Sequence, residues 1–311
     1  MMKPFKLELS GIWTVVFFSL LAVSNAPAQI PPGLENKTIT LGVVSTINEK
    51  EIENHFRDFI RYVARKLSPL SSIEGKVVVA PTLPDLARLL EQKKVDFYME
   101  SAYPTYVVNN VHDAGRLLLR RWQRGKGEYQ SLIFTKKDSG INSLQDLRGR
   151  VIAFEDPEST SGHFLPRFFL LKKGFKLVET NRPDAKKSPP EIGFIFAYAQ
   201  AKLVELVLKQ QVAAGAFNDD DYAKLDDETK AGIDILAQTE LLPRHLVSIR
   251  KNMPLGLASR IEKILISMSE DPEGRNIMQK TGDTTKFDAL PGGEEGMRRR
   301  LLDSFFSPGN K

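Results

Sequence analysis

A strand–helix–strand rhythm runs along this chain, breaks off and starts again, and that repetition constrains the fold more than any other feature. Ile39–Val44 (ITLGVV) is β-rich and alternating, and Glu51–Leu67 then sets Ile52, Phe56, Phe59, Ile60, Val63 and Leu67 at helical spacing. Lys76–Ala80 reads as a strand, Leu83–Gln92 as a helix and Val95–Met99 as a third strand. Short loops between these elements favour a parallel sheet covered by helices. The rhythm restarts with strands at Tyr129–Thr135, Val151–Glu155, Glu191–Ala197, Val212–Phe217 and Val247–Arg250. Helices are expected at Ser143–Leu147, Ser161–Lys173, Gln200–Gln210 and Ala258–Ser269, followed by a tail of short helices. Asn181–Pro190 (NRPDAKKSPP) is the clearest internal loop. The fold class expected is α/β, with two lobes and a cleft between them.

The N-terminus addresses the chain rather than shaping it. Lys3 and Lys6 precede an apolar run from Ile12 to Val23, and Ala26-Pro27-Ala28 supplies small residues for signal peptidase. A secretory signal over residues 1–28, cleaved before Gln29, is the expectation, with an uncleaved anchor as the competing reading. The run is short of the roughly 20 residues that span a bilayer. Residues 29–37 read as a linker. The absence of Cys from all 311 residues excludes a disulfide framework and thiolate metal or redox chemistry. A net charge of +5, with no basic run longer than Arg298–Arg300, argues against nucleic acid as a partner.

The stretch from Val151 to Pro166 (VIAFEDPESTSGHFLP) carries the most chemistry. It sets a strand, an Asp156-Pro157 turn, and then Ser159-Thr160-Ser161-Gly162 at a helix start. A helix start leaves amides without intrahelical acceptors and carries partial positive charge. Hydroxyls add donors, and Gly162 would let a ligand approach the backbone, which suits a small oxyanion. Plain capping explains Ser and Thr there as well. The segment lacks the Lys of a P-loop and the spaced glycines of a dinucleotide fold.

The series KDSGINSLQDLRGRVIAFEDPESTSGHFLPRFFL resembles the second-lobe signature of the phosphate/phosphite/phosphonate substrate-binding proteins of ABC transporters. VDFYMESAYPTYVV, QVAAGAFNDDDYAKL and LLPRHLVSIRKNMP are similar to further family segments, so the resemblance spans residue 38 to about 270. It implies a two-lobed periplasmic binding protein of type II-like fold, each lobe a mostly parallel sheet flanked by helices. The lobes would comprise residues 38–130 with the return segment 246–311, and residues 131–245. The implied function is capture of a phosphate-, phosphite- or phosphonate-like oxyanion for an ABC importer by hinge closure. Its partner would be a permease, or alternatively a membrane sensor kinase. The implied protein is a periplasmic monomer with no cofactor.

Carried over residue by residue, the family's phosphoryl-binding hydroxyls fall on Ser159, Thr160 and Ser161, and its cleft Tyr falls on Tyr103. Two family site residues are replaced. A His that opens the helix after the fifth strand becomes Gln200, and the Asp of a Pro-Asn-Asp-Pro segment becomes His245, after Arg244. Arg and His beside the ligand would make the cleft more positive and favour an ammonium-free oxyanion. Glu100, near Tyr103, pulls the other way, toward a ligand proton or amine. Alternatively, Arg244 and His245 form an interlobe salt bridge with Asp219–Asp221 or Glu240, and Tyr103 and Tyr106 are core or hinge aromatics.

The remaining candidates are weaker. His163 either reaches the cleft or packs at the helix start. His55 reads as a surface or boundary residue. His112 with Asp113 lacks a second ligand at zinc spacing. Asp219-Asp220-Asp221 reads as a solvated turn or cleft rim, and Thr281–Lys286 as a surface loop. No nucleophile motif or paired base accompanies any Ser, so an enzyme on the same two-lobed architecture is the less favoured rival.

Overall fold

Residues 37–46, 48–68, 72–184 and 191–306 are described by the structure, a computed structural model. The expected signal, nearly all of the linker and the end of the 181–190 loop lie outside them. β1 (Thr38–Val44), α1 (Glu49–Leu67), β2 (Glu74–Ala80), α2 (Leu83–Glu91) and β3 (Phe97–Glu100) follow the anticipated rhythm. The Asn48 side chain caps α1 by accepting from Lys50 N, and Phe59, Ile60, Val63 and Leu67 bury one helical stripe. Thr82 caps α2 by accepting from Asp85 N. α3 (Ala102–Tyr106) and a wide turn then lead into β4 (Gly115–Gln123). β4 alternates buried Leu117, Leu119 and Arg121 with more exposed neighbours. A charge in a buried position hid this strand from sequence patterning.

The expected strand Tyr129–Thr135 is two elements, β5 (Glu128–Tyr129) and β6 (Ser131–Lys136). They serve different sheets, which is why the run breaks at Gln130. β7 (Val151–Phe154), α4 (Leu165–Lys172), β8 (Lys176–Glu179), β9 (Glu191–Phe196), α5 (Gln200–Leu208) and β10 (Ala214–Asn218) continue the second rhythm. α6 (Asp219–Lys224), α7 (Asp227–Ala231), β11 (Ile233–Gln238) and β12 (Leu242–Pro243) lead to β13 (His245–Arg250). α8 (Leu255–Ser267), α9 (Pro272–Lys280), β14 (Thr284–Ala289) and α10 (Gly293–Phe306) close the chain. The expected surface loop at Thr281–Lys286 is therefore half turn and half strand. Thr281 and Thr284 are buried because they hold the Arg121 guanidinium.

Two six-stranded sheets result, in the orders β14-β4-β13-β3-β1-β2 and β11-β6-β10-β7-β9-β8. Both are mixed. β1 runs parallel to β2 and β3, whereas β13 and β14, which return from the end of the chain, pair antiparallel. In the second sheet β10, β7, β9 and β8 are mutually parallel, β6 runs against them, and β11, antiparallel to β6, points the same way as the other four. The chain passes between the sheets twice, and the crossings pair with each other as β5 and β12. Separate apolar cores centre on Phe97 and Val247 in one lobe and on Phe134 and Phe154 in the other. A further cluster joins Leu246, Leu165, Met297 and Phe305, so α10 binds elements of both lobes. No helix of the described residues is long and apolar enough to cross a membrane.

Candidate ligand-binding site

The helix after β7 opens with a wide π turn, Thr160–Phe164, rather than the expected α-helix from Ser161. Pro166 has no N–H to give the Gly162 carbonyl, which accepts instead from Glu155 N at 3.0 Å. Ser159 Oγ caps the turn by accepting from Gly162 N at 2.9 Å, and donates to Glu155 Oε2 at 2.8 Å. Thr160 Oγ1 reaches across to the other lobe, accepting from Tyr103 N and donating to Ser101 Oγ, both at 2.9 Å. Ser161 Oγ lies 3.4 Å from Asn218 Nδ2, and its carbonyl accepts from Ser131 Oγ at 2.7 Å. The three hydroxyls thus have protein partners as well as a position on the cleft.

That position is the wall of a cavity of about 430 Å³ between the lobes, at the carboxyl ends of β3, β7 and β10. Glu100, Ser159, Thr160, Ser161, Arg244 and His245 all line it. Tyr103, Gly162 and Gln200 do not. The Tyr103 ring stacks on Phe164 and meets Phe305 edge-on at 6.0 Å, within the aromatic cluster that joins the lobes. At Gly162 the space a Cβ would need is taken by a protein neighbour. A Cβ there would lie 2.5 Å from Glu155 Cβ and Oε2. Gln200 begins α5 after an Ala199 that offers no side-chain cap. A second concavity of about 1000 Å³, lined by Lys136, Arg148 and Arg150, opens at the opposite ends of the same lobe-two strands.

The cavity's charge differs from the expected one. Glu155, Asp156 and Glu158 join Glu100 on its wall. Burial raises Glu155 and Glu158, and neighbouring Asp156 raises both further. Glu100 is pushed up to about 7 by burial and by Glu158, against the Ser101 amide and Arg121. Arg244 adds little free positive charge. Its Nη1 lies 2.5 Å from Asp220 Oδ2, Nε donates to Gln123 Oε1 at 2.9 Å, and the guanidinium sits over Tyr129 at 5.2 Å. Lys126 adds to this ion pair at 2.8 Å from Asp220. Burial alone would raise Asp220, but Lys126 and Arg244 hold it below its ordinary value. The acidic triplet is accordingly the first turn of α6, with Asp220 buried, rather than a solvated loop.

The His245 imidazole has no hydrogen-bond partner among the described residues, and its Nδ1 is buried. Burial, with Arg121 and Arg244 nearby, keeps the imidazole neutral well below its ordinary pKa. It therefore contributes a single N–H donor rather than a positive charge. His163 packs among Phe154, Phe164, Phe194 and Phe196, with Nδ1 3.0 Å from the Pro157 carbonyl, and does not line the cavity. Sequence reasoning missed Glu155 and Glu158, although both lie in the segment it singled out. Ser101, Tyr129 and Asn218 carried no pattern that distinguished them.

A cleft between two mixed α/β lobes, crossed twice by the chain and lined by polar groups from both, defines a two-lobed solute-binding protein. Residues 41–290 match the family model of the phosphonate periplasmic substrate-binding proteins of ABC transporters, and the chain belongs to that family. It is 21% identical over 281 residues to the phosphonates-binding periplasmic protein of Escherichia coli (strain K12), covering 87% of this chain and 78% of that one. XAC2383 from Xanthomonas citri bound to ATP shares the fold with a TM-score of 0.77 at 24% identity, over 87% of this chain and 96% of that one. PhnD1 from Prochlorococcus marinus (MIT 9301), in complex with methylphosphonate, gives 0.61 at 14% identity over 87% and 99%.

Proposed function

We propose that this chain captures a small oxyanion of the phosphonate class for an ABC importer, and that the ligand carries a protonated or ammonium end. The observation that carries this reading is the mixed chemistry of one interlobe cavity. The Ser159–Ser161 turn and the His245 N–H supply donors for an oxyanion, and Glu100, Glu155 and Glu158 supply acceptors for a cationic end. An ammonium-free anion would face three carboxylates with little free positive charge to offset them. The lobes, residues 38–130 with 246–311 and residues 131–245, close on the ligand about the paired crossings β5 and β12. The ligand favours closure in proportion to its preference for the closed form. The closed surface then engages the permease.

Calorimetric titration of residues 29–311 with 2-aminoethylphosphonate, methylphosphonate, phosphate, phosphite and sulfate tests this. The aminophosphonate is expected to bind at least about tenfold more tightly than methylphosphonate, a difference near 1.4 kcal/mol. Glu158→Gln is expected to narrow that gap. Binding to none of these anions, or tightest binding to sulfate, overturns the reading.

A further inference from the structure

Arg121 is buried in β4, at 5% exposure, directly opposite His245 of β13. Its guanidinium donates to Thr284 Oγ1 and to the Thr281 carbonyl, each at 2.7 Å. Both acceptors are neutral, and no carboxylate of the described residues lies within ion-pair distance of it. A buried cation without a direct counter-ion is expensive, and a neutral side chain would span the two Thr groups more cheaply. Glu100, on the cavity wall, is the carboxylate whose field reaches it. In return, the Arg121 charge lowers Glu100 and disfavours protonation of His245.

The other groups around His245 are accounted for. Arg244 precedes it in the bend between β12 and β13 and is paired to Asp220, and Leu246 follows it opposite Glu100 of β3. Glu155, Asp156 and Glu158 share the cavity from lobe two. Arg121 is thus the nearby cation that has no carboxylate to neutralise it.

We infer that Arg121 is a positioning residue behind the cavity's lobe-one wall, its charge adding to burial in keeping His245, directly across the sheet, a neutral N–H donor, and opposing the protonation that burial favours at Glu100. The inference rests on the oxyanion reading for its consequence in binding, but its electrostatic content does not. Removing the charge raises the proton affinity of both groups, so both titrations move to higher pH.

The test follows the His245 ring proton by NMR across pH in ligand-free protein, with His245→Gln to assign the signal. In Arg121→Met the His245 midpoint is expected to rise by about one pH unit, and in Arg121→Lys to stay at the wild-type position. The pH at which methylphosphonate affinity is half-maximal should move in the same direction. The ligand's own ionisation is common to all variants and cancels. An unmoved His245 midpoint in a Met variant with wild-type circular dichroism overturns the inference. Should the Met variant not fold, Arg121→Lys decides, and a rise of about one unit there overturns it equally. If wild type binds no phosphonate at any pH, the functional reading fails while the NMR result still judges Arg121.

Discussion

The two walls of the cavity are built in opposite ways. On the lobe-two side, Glu155, Glu158, Ser159, Thr160 and Ser161 come from one stretch of seven residues between β7 and α4. Local hydrogen bonds fix it, with the Ser159 hydroxyl, Glu155 carboxylate and Gly162 amide closing on each other. On the lobe-one side, Glu100, His245 and Arg121 come from three strands that are adjacent only because β13 returns between β3 and β4. The first wall is set by chain geometry over one turn of helix, the second by sheet register. A register shift of one residue along β13 would move His245 off the face it shares with Arg121.

The joint between the walls is the strongest place to break this contrast. Asp220→Ala leaves the Arg244 guanidinium buried against Gln123 and the Tyr129 ring without its ion-pair partner. Removing one partner of a buried pair is expected to cost about 3 kcal/mol, read as a lower midpoint in urea denaturation. A loss below about 0.5 kcal/mol would mean that solvent reaches the pair and that the joint is weak.

The lobe-two wall should yield next. In Gly162→Ala the new methyl meets Glu155, and the turn must open or the carboxylate must move. About 2 kcal/mol of destabilisation is expected from overpacking. Glu155→Ala in the same chain should recover part of it, because the carboxylate contact is removed while the Cβ contact remains. Absence of that coupling in a double-mutant cycle would show that the turn is not held by Glu155.

The effect expected on the lobe-one wall is a slope along pH rather than a step. The Glu100 pKa is raised to about 7 in the folded protein from an ordinary 4.5. The folded state then binds the proton more tightly than the unfolded chain. Ionising Glu100 therefore costs stability, fully above the folded pKa and not at all below the ordinary one. Wild type should lose stability relative to Glu100→Gln as pH rises from about 4.5 to about 7, with the difference constant above that. A constant difference across that window in paired denaturation curves would place Glu100 in water-like surroundings.

Much of the fold was legible because its signals are local. α1 announces itself through Phe59, Ile60, Val63 and Leu67 at helical spacing between Asn48 and the terminal Arg65 and Lys66. The turn at Ser159 was legible for the same reason. β4 and β14 were not, since Arg121 interrupts the apolar alternation of one and TTKFDA offers only one large apolar residue in the other. The roles of Arg244 and Asp219–Asp221 were posed correctly as a choice between ligand contact and interlobe ion pair. Only the contact across the cleft decided for the pair with Asp220. The sign of the cavity's charge was misjudged because counting Arg244 and His245 as positive ignores what each meets on folding.

By itself, then, the sequence determined two α/β halves, their order and the hydroxyl-rich turn after β7. All of these depend on residues within about a dozen positions of one another, where periodicity and capping act. Tertiary structure alone decided which strands share a sheet and that Arg244 is neutralised. It also left His245 uncharged and set Arg121 behind it. Those outcomes depend on burial and on charges brought together from distant parts of the chain. Desolvation and Coulomb interaction follow distance in space, which residue order does not record.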